Sequence, residues 1–215
     1  MEMTANERAI ALNIVNQFMK MGFSEEYHRP QNWSMYEWFD KNNLHKSGYV
    51  YASGATKAVF FADTLKNWVL KVALPDIDVA ERDYCRLEYD NYVEAKKAGL
   101  SHYFATTEFI AEVGGVRFYA QEKVYVDEEV DGFVYDTLKQ EYERDGSNYD
   151  PDGLWDEIDS MDGYSKVMYV YDDSALGDFI DRFHINDLHG GNFGRRSDGE
   201  FVMIDFSGYG AHVWR

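Results

Sequence analysis

The sequence contains one cysteine, Cys85, and no group of Cys and His residues at zinc-binding spacing. A single thiol cannot form an internal disulfide, so a reducing cytosol is the expected compartment. The sequence also lacks the basic start and apolar core of a signal peptide, and no run approaches the roughly 18 apolar residues of a membrane span. These absences predict a cytoplasmic protein that does not cross or bind a membrane.

Basic residues are few: 21 Lys and Arg stand against 39 Asp and Glu, which gives a formal net charge of -18. Such a charge repels the phosphate backbone, so we expect no nucleic-acid partner. An acidic surface favours basic protein partners, although solubility alone explains it equally well. Hydrophobic residues make up 45% of the sequence, which predicts one substantial core or two small lobes rather than disorder.

The first part of the sequence has a helical pattern. Apolar residues recur at helical spacing over residues 6–21, and Gly22 is expected to stop that helix. A second helix is predicted over residues 34–42, beginning at a serine of N-cap type. Trp38 and Phe39 are expected on its buried side. These helices are expected to brace the fold rather than perform chemistry.

Alternating apolar residues replace the helical pattern after residue 48, which predicts strands. They are expected at 49–52, 58–62, 68–74, 106–110 and 116–126. The first three form a β-meander, and the last two surround the turn at Gly114 and Gly115. Between the two groups a helix is predicted from about 79 to 97, with Gly99 as its C-cap.

Residues 127–162 are the compositional outlier, with many carboxylates against only Lys139 and Arg144. We interpret this segment as an exposed acidic insert that holds one interrupted helix near residues 135–144. A calcium loop fits less well, because the carboxylates lack the alternate-position register and the terminal Glu of an EF-hand.

The strongest functional pattern follows an amphipathic helix predicted over residues 173–184. A Gly-rich loop carries Asp187 and Asn192, and Asp205 ends the apolar strand of residues 201–204. Phosphoryl transfer from ATP needs oxygen ligands for Mg²⁺ and a carboxylate near the attacking hydroxyl. An Asp and an Asn in one loop, facing an Asp from the next hairpin, supply that set. The glycines let the backbone approach the metal and phosphates.

In this pattern the sequence resembles the protein-kinase superfamily. The segment INDLHGGNFG, residues 185–194, is similar to the catalytic loop of that family, and VMIDFSG, residues 202–208, is similar to its metal-binding Asp-Phe-Gly segment. The resemblance implies that Asp187 is the catalytic base or hydroxyl-orienting residue. It also implies that Asn192 and Asp205 hold magnesium.

Lys71 lies within VLKVAL, an apolar strand in which an uncompensated ammonium would be costly. We therefore expect an anionic partner. Glu88 lies on the predicted inward face of the following helix, whereas Glu94 projects from a different face. The resemblance implies a Lys71–Glu88 pair with a catalytic role, in which the lysine reaches the α- and β-phosphates of ATP.

The segment of residues 52–59 resembles the phosphate loop of the family only in part. It keeps the middle glycine and the following valine, but Lys57 stands where a third glycine is usual. A tight turn at Gly54 would still let backbone N–H groups reach phosphate. The nucleotide contacts that the resemblance implies here are Gly54, Ala55, Thr56, Lys57 and Val59.

Residues 120–124 resemble the adenine hinge of the family. The resemblance implies that the backbone of Glu122 and Val124 bonds the base, with Gln121 at the gate. His189, two residues after the catalytic aspartate, stands where ordinary protein kinases have lysine. We expect it among the cofactor contacts.

The resemblance implies an α+β fold with two lobes. Residues 1–47 are expected to form a helical extension and 48–125 an antiparallel-sheet N-lobe with one helix. Residues 126–215 are expected to form a truncated, mostly helical C-lobe that contains the insert. Lys71, Glu88, Asn192 and Asp205 should then line one cleft, with Asp187 at its mouth.

Only ten residues follow Asp205, and the D-L-H form resembles minimal kinases of bacteriophages and secreted bacterial effectors, which would act in a host-cell cytoplasm. The expected activity is ATP- and Mg²⁺-dependent transfer to Ser/Thr hydroxyls of the protein itself or of a protein substrate with a basic surface. Two alternatives stay open. One is a pseudokinase-type nucleotide-binding module with a regulatory protein partner, and the other is an aminoglycoside-like small-molecule phosphotransferase.

Overall fold

The computed structural model of the chain describes residues 2–29, 34–54, 56–74, 83–126, 130–148 and 150–208. The chain divides into two compact units: Met1–Glu94 with Ala105–Lys123, and Ala95–Phe104 with Val124–Arg215. The fold is α+β, as predicted. None of the helices in the described ranges has the length and apolar character that crossing a bilayer requires.

The first unit begins with three α-helices and a short 3₁₀ helix. They are α1 (Ala5–Lys20), α2 (Phe23–Tyr27), α3 (Ser34–Lys41) and the 3₁₀ helix Leu44–Ser47. A capping box starts α1, since the Thr4 hydroxyl accepts from the Glu7 N–H and the Glu7 carboxylate accepts from the Thr4 N–H. The predicted helices at 6–21 and 34–42 are confirmed to within one residue at each end, and Gly22 follows the first as its stop.

Burial in these helices agrees with the predicted apolar faces at most positions. Phe18, Trp38 and Phe39 are buried, whereas Met21 is 41% exposed and lies outside the core. Helix α2, which contains only five residues, was not predicted. Its sequence is too short for a helical period to stand out.

A five-stranded antiparallel sheet completes the first unit, in the order β1-β2-β3-β5-β4. The strands are β1 (Tyr49–Ser53), β2 (Lys57–Ala62), β3 (Trp68–Ala73), β4 (Thr107–Val113) and β5 (Val116–Glu122). The predicted meander is confirmed. The strand predicted over 116–126 is wrong in its last part, because β5 ends at Glu122 and Tyr125–Val126 pairs in the sheet of the second unit.

Alternation along the strands gives the sheet two chemically different faces. The apolar face presents Phe60, Leu70, Val72 and Phe118 to the N-terminal helices, where they form one hydrophobic core. The opposite face carries Lys57 and Val59 of β2, and Val59 lies directly across from Lys71 of β3. Polar residues on this second face position the candidate site.

Helix α4 (Tyr84–Ala98) begins after Asp83, whose carboxylate accepts the N–H of Arg86. The start predicted near residue 79 lies outside the described residues. Cys85 of α4 packs with Ala73 and Tyr119 on the second face of the sheet. Burial raises the pKa of the Cys85 thiol well above its ordinary value, so the thiol is a packing group here.

The second unit contains four helices and a three-stranded sheet in the order β6-β7-β8 within its described residues. The helices are α5 (Val130–Arg144), α6 (Pro151–Ser160), α7 (Gly163–Tyr171) and α8 (Ser174–Phe183). The strands are β6 (Tyr125–Val126), β7 (Phe193–Arg195) and β8 (Phe201–Met203). The predicted helix over 173–184 is confirmed, with Asp173 as its N-cap.

The expectation of an exposed acidic insert with one interrupted helix is wrong. Helices α5 and α6 bury Val134, Leu138, Leu154 and Ile158 in a core of their own. Part of the acidity has a structural role, because the Asp150 carboxylate accepts an N–H at the start of α6. The segment is therefore a folded part of the second unit.

Candidate functional site

The candidate site in the first unit is built around an ion pair that joins β3 to α4. Lys71 Nζ lies 2.8 Å from Glu88 Oε2. Lys71 is 5% exposed and Glu88 is 0% exposed, so both charges are removed from water. The partner is Glu88, as the helix-face argument predicted. Such a pair is a weak source of stability, but removing one partner leaves a buried charge and is strongly unfavourable.

Lys57 contacts the same carboxylate. Its Nζ lies 2.5 Å from Glu88 Oε1, so the two oxygens of Glu88 each accept from a different lysine. Sequence reasoning placed Lys57 among the phosphate-loop contacts but missed its pairing with Glu88. The available signal was strand alternation, which places Lys57 on the same face as Val59 and therefore beside Lys71.

A chain of hydrogen bonds continues from Lys71 across β5 to β4. Lys71 Nζ donates to Gln121 Oε1 at 3.1 Å, and Gln121 Nε2 donates to Thr107 Oγ1 at 3.3 Å. The Thr107 hydroxyl donates in turn to the carbonyl of Ala105. Because its Nε2 is used by Thr107, Gln121 turns its carbonyl oxygen toward the ammonium. The predicted gate residue therefore orients the lysine.

The loop between β1 and β2 is closed by a hydrogen bond from Gly54 N to Lys57 O at 3.0 Å. Thr56 is held on its other side, where its carbonyl accepts from Leu74 N. A Cβ added at Gly54 would meet no atom within 4 Å among the described residues. The space at this turn can therefore admit a ligand. Ala55 lies outside the described residues.

The predicted hinge residues have specific backbone partners in the structure. Glu122 N donates to Thr106 O at 2.8 Å, and the Glu122 carboxylate accepts from Thr106 N. A contact from Glu122 to a base would therefore come from its carbonyl oxygen rather than its N–H. Val124 belongs to the second unit, where its side chain closely approaches the backbone of Gly194.

The loop after α8 brings Asp187 and Asn192 together. Asn192 Nδ2 donates to the backbone carbonyl of Asp187 at 2.5 Å, and Asn192 N donates to His189 O. Since its amide nitrogen serves as the donor, Asn192 offers Oδ1 as the oxygen that could ligate a metal. The side chain is buried, so this geometry is fixed by its surroundings.

Asp205 lies at the same end of the β7–β8 hairpin as Asn192. Phe193 pairs with Met203, and Ile204 N donates to Asn192 O at 2.8 Å, so the ladder continues to the residue before Asp205. The Ser207 hydroxyl donates to Asp205 Oδ1 at 3.1 Å. The two predicted metal ligands therefore come from neighbouring backbone positions.

The donor set at this hairpin suits a metal that is shared with a substrate. Among the residues that the structure describes, no three His, Cys, Asp or Glu side chains group closely enough to hold a metal by themselves. A cation bound by Asn192 and Asp205 would take its remaining ligands from phosphate oxygens and water, which is the usual way that proteins bind Mg²⁺. The residues present therefore fit magnesium delivered with ATP.

Asp187 keeps an accessible carboxylate. Its side chain is 29% exposed, and Oδ1 lies 3.8 Å from Nε2 of His189, whose side chain is 64% exposed. At this distance and exposure the interaction is weak. The carboxylate of Asp187 is therefore open to an incoming hydroxyl group.

Two glycines allow close backbone contacts around the loop. A Cβ at Gly163, the first residue of α7, would lie 1.7 Å from the carbonyl oxygen of Leu188. A Cβ at Gly208, where φ is 75°, would lie 2.2 Å from the carbonyl oxygen of His184. Larger residues at either position would displace the backbone that carries Asp187.

Comparison with models of known protein families, with curated proteins and with solved structures finds no match. The structure brings the predicted residues together in two groups, one in each unit. They are Lys57, Lys71, Glu88 and Gln121 in the first, and Asp187, Asn192 and Asp205 in the second. We therefore base the function on these two groups alone.

Proposed function

We propose that the protein is an ATP- and Mg²⁺-dependent protein-kinase-like phosphotransferase. It transfers the γ-phosphoryl group to Ser/Thr hydroxyls of a protein substrate or of itself. The observation that carries the proposal is the buried Lys71–Glu88 ion pair between a sheet strand and a helix, at 2.8 Å. This arrangement presents a fixed ammonium group, which suits the α- and β-phosphates of a nucleotide.

The loop and hairpin of the second unit supply the remaining groups that the reaction needs. Asn192 Oδ1 and the Asp205 carboxylate would hold magnesium, which neutralises phosphate charge when it is bound. The accessible carboxylate of Asp187 would accept the proton of the attacking hydroxyl. Oxygen ligands and a carboxylate in one loop and its neighbouring hairpin favour phosphoryl transfer over chemistry that needs a nucleophilic side chain.

Positioning and electrostatics supply most of the acceleration in such a reaction. Lys71 fixes the nucleotide, Glu88 and Gln121 fix the lysine, and Asp187 orients the acceptor. The proposal requires that substitutions in either unit abolish the same reaction. The net charge of -18 favours an acceptor protein with a basic surface.

Incubation with γ-labelled ATP, Mg²⁺ and a basic acceptor protein tests the proposal. The wild type should label itself or the acceptor, and Asp187→Ala and Asp205→Ala should each lower incorporation by roughly a hundredfold or more. Asp178→Ala, an exposed aspartate on α8, is the matched control and should keep full activity.

Two results would contradict the proposal. Incorporation that survives in both variants would place the chemistry elsewhere. Nucleotide binding without any incorporation by the wild type would instead identify a regulatory, pseudokinase-type module. Incorporation only when a small aminoglycoside-like acceptor replaces the protein would change the substrate class and keep the chemistry.

A further inference from the structure

Lys57 is held deep in the first unit by a carboxylate that already has a lysine partner. It is the first residue of β2, it is 5% exposed, and its Nζ lies 2.5 Å from Glu88 Oε1. A lysine that opens a strand next to a turn normally extends into solvent. Here the ammonium instead points inward to the centre of the candidate site.

The register of the sheet explains how both lysines reach one glutamate. Val59 lies across from Lys71, and Lys57 lies two residues before Val59, so the two lysines project from the same face of adjacent strands. Glu88 approaches this face from α4, where both of its carboxylate oxygens are used. Two cations are thus collected on one anion.

The charge of this group favours a phosphate ligand. Lys57, Lys71 and Glu88 together carry one net positive charge in a buried position. Like charges held close together repel each other, and the repulsion is strongest where water is excluded. The oxygens of a polyphosphate would supply negative charge at this point, and lysine is a common phosphate ligand.

The position of Lys57 also connects it to the loop in which a nucleotide is expected. Its carbonyl accepts from Gly54 N at 3.0 Å, and this bond closes the turn whose far side is open to a ligand. A phosphate in that turn would lie within one side-chain length of the Lys57 ammonium. Lys57 therefore joins the turn to the Lys71–Glu88 pair.

We infer that Lys57 is a second phosphate-binding lysine, which acts with Lys71 on the β- and γ-phosphates of the nucleotide while Glu88 positions both ammonium groups. The inference rests on the proposed function and deepens it, since it assigns the site to nucleoside di- and triphosphates rather than monophosphates. The residue that departs from the phosphate-loop pattern thus replaces backbone contacts with a charged side chain.

Titrations with ATP, ADP and AMP test this role. Lys57→Met should weaken ATP binding by roughly ten- to hundredfold, the effect of one hydrogen bond to a charged group, and should leave AMP binding nearly unchanged. Lys66→Met, which removes an exposed lysine from the β2–β3 connection, is the matched control and should bind all three nucleotides as the wild type does.

Lys57→Gln separates phosphate binding from the positioning of Glu88. Glutamine can still donate to the Glu88 carboxylate but carries no charge. If Lys57 binds phosphate through its charge, Lys57→Gln should lose ATP affinity as Lys57→Met does, and Lys57→Arg should recover most of it. Thermal unfolding of each variant shows whether the fold is kept, and Lys57→Gln serves if Lys57→Met does not fold.

Three results would overturn the inference. Wild-type ATP affinity in both Lys57→Met and Lys57→Gln would refute the phosphate contact and leave the proposed function standing. Full ATP affinity in Lys57→Gln alone would assign Lys57 to the positioning of Glu88. A wild type that binds no nucleotide would refute the proposed function as well, so the two failures are distinguishable.

Discussion

The candidate residues of the two units are held by different kinds of interaction. In the first unit, Lys57, Lys71 and Glu88 hold one another through buried charged side chains. In the second, backbone groups do most of the holding, since Asn192 binds the carbonyl of Asp187 and Ile204 N binds the carbonyl of Asn192.

This difference predicts opposite sensitivities. A network of buried charges should tolerate poorly the loss of its shared partner, because the remaining charges stay buried. A loop fixed through its backbone should tolerate changes of side-chain charge but not changes that move the backbone. Substitutions in the two units can therefore break or sharpen the comparison.

The largest effect is expected from Glu88→Ala, which leaves two buried ammonium groups without their shared carboxylate. It should lower the free energy of unfolding of the first unit by about 3–5 kcal/mol. Hydrogen exchange of the β2 and β3 amides measures this. Asp90→Ala, on the exposed side of the same helix, breaks only a 3.5 Å surface pair with Arg86 and should cost less than about 0.5 kcal/mol. Equal effects of the two variants would contradict the account of the first unit.

Gly163→Ala should have the largest effect in the second unit. The new Cβ meets the backbone of Leu188 at 1.7 Å, and overpacking of this kind costs about 1–3 kcal/mol. Phosphoryl transfer should fall with it, because Leu188 follows Asp187. Gly153→Ala in α6 is the control, since its Cβ would meet only an ordinary contact at 3.7 Å, and alanine there should be neutral or slightly stabilising. Urea unfolding of both variants decides between these outcomes.

Acid should weaken the helices that precede the loop. The Tyr103 hydroxyl, which donates to Asp173 at 2.6 Å, and the α8 backbone N–H groups hold the pKa of Asp173 below its ordinary value. A lowered pKa means that the stabilisation is complete above about pH 4 and is lost as the pH falls through the folded-state pKa. Asp173→Asn should therefore lower the melting temperature at pH 7 and flatten its decline below pH 4. An unchanged acid profile in that variant would contradict this assignment.

The smallest effect on stability is expected from Asp187→Asn, although it should remove phosphoryl transfer. The carboxylate is partly exposed, and its loop is fixed by the backbone carbonyl of Asp187 rather than by its side chain. The free energy of unfolding should change by less than about 0.5 kcal/mol. A loss above about 2 kcal/mol would show that side-chain charge also holds the second unit, and the contrast between the units would disappear.

Much of the fold follows from local patterns in the sequence. The meander and helices α1, α3 and α8 have clear periods and end signals, and the apolar strand around Lys71 requires a buried anion, which correctly predicts its pairing with Glu88. These features depend on a few neighbouring residues, so a single sequence contains enough information to predict them.

Other features depend on contacts that local patterns do not show. Helices α5 and α6 bury a narrow apolar stripe between many carboxylates, so the acidic composition hid their common core. Strand β5 ends at Glu122 because Lys123 N binds the carbonyl of Asn67, which is distant in the sequence. The pairing of Lys57 with Glu88 spans 31 positions and becomes visible only when the strand register is known. Kinase activity, magnesium and ATP binding stay predictions.

The most direct test of the central claim is the ATP affinity of the protein measured with Mg²⁺ and with excess EDTA. If groups of both units act on one nucleotide, the wild type should bind ATP more tightly with Mg²⁺. Lys71→Met should lose affinity in both conditions, and Asp205→Asn should lose only the gain that Mg²⁺ provides. A full Mg²⁺-dependent gain in Asp205→Asn, or unchanged affinity in Lys71→Met, would contradict the account.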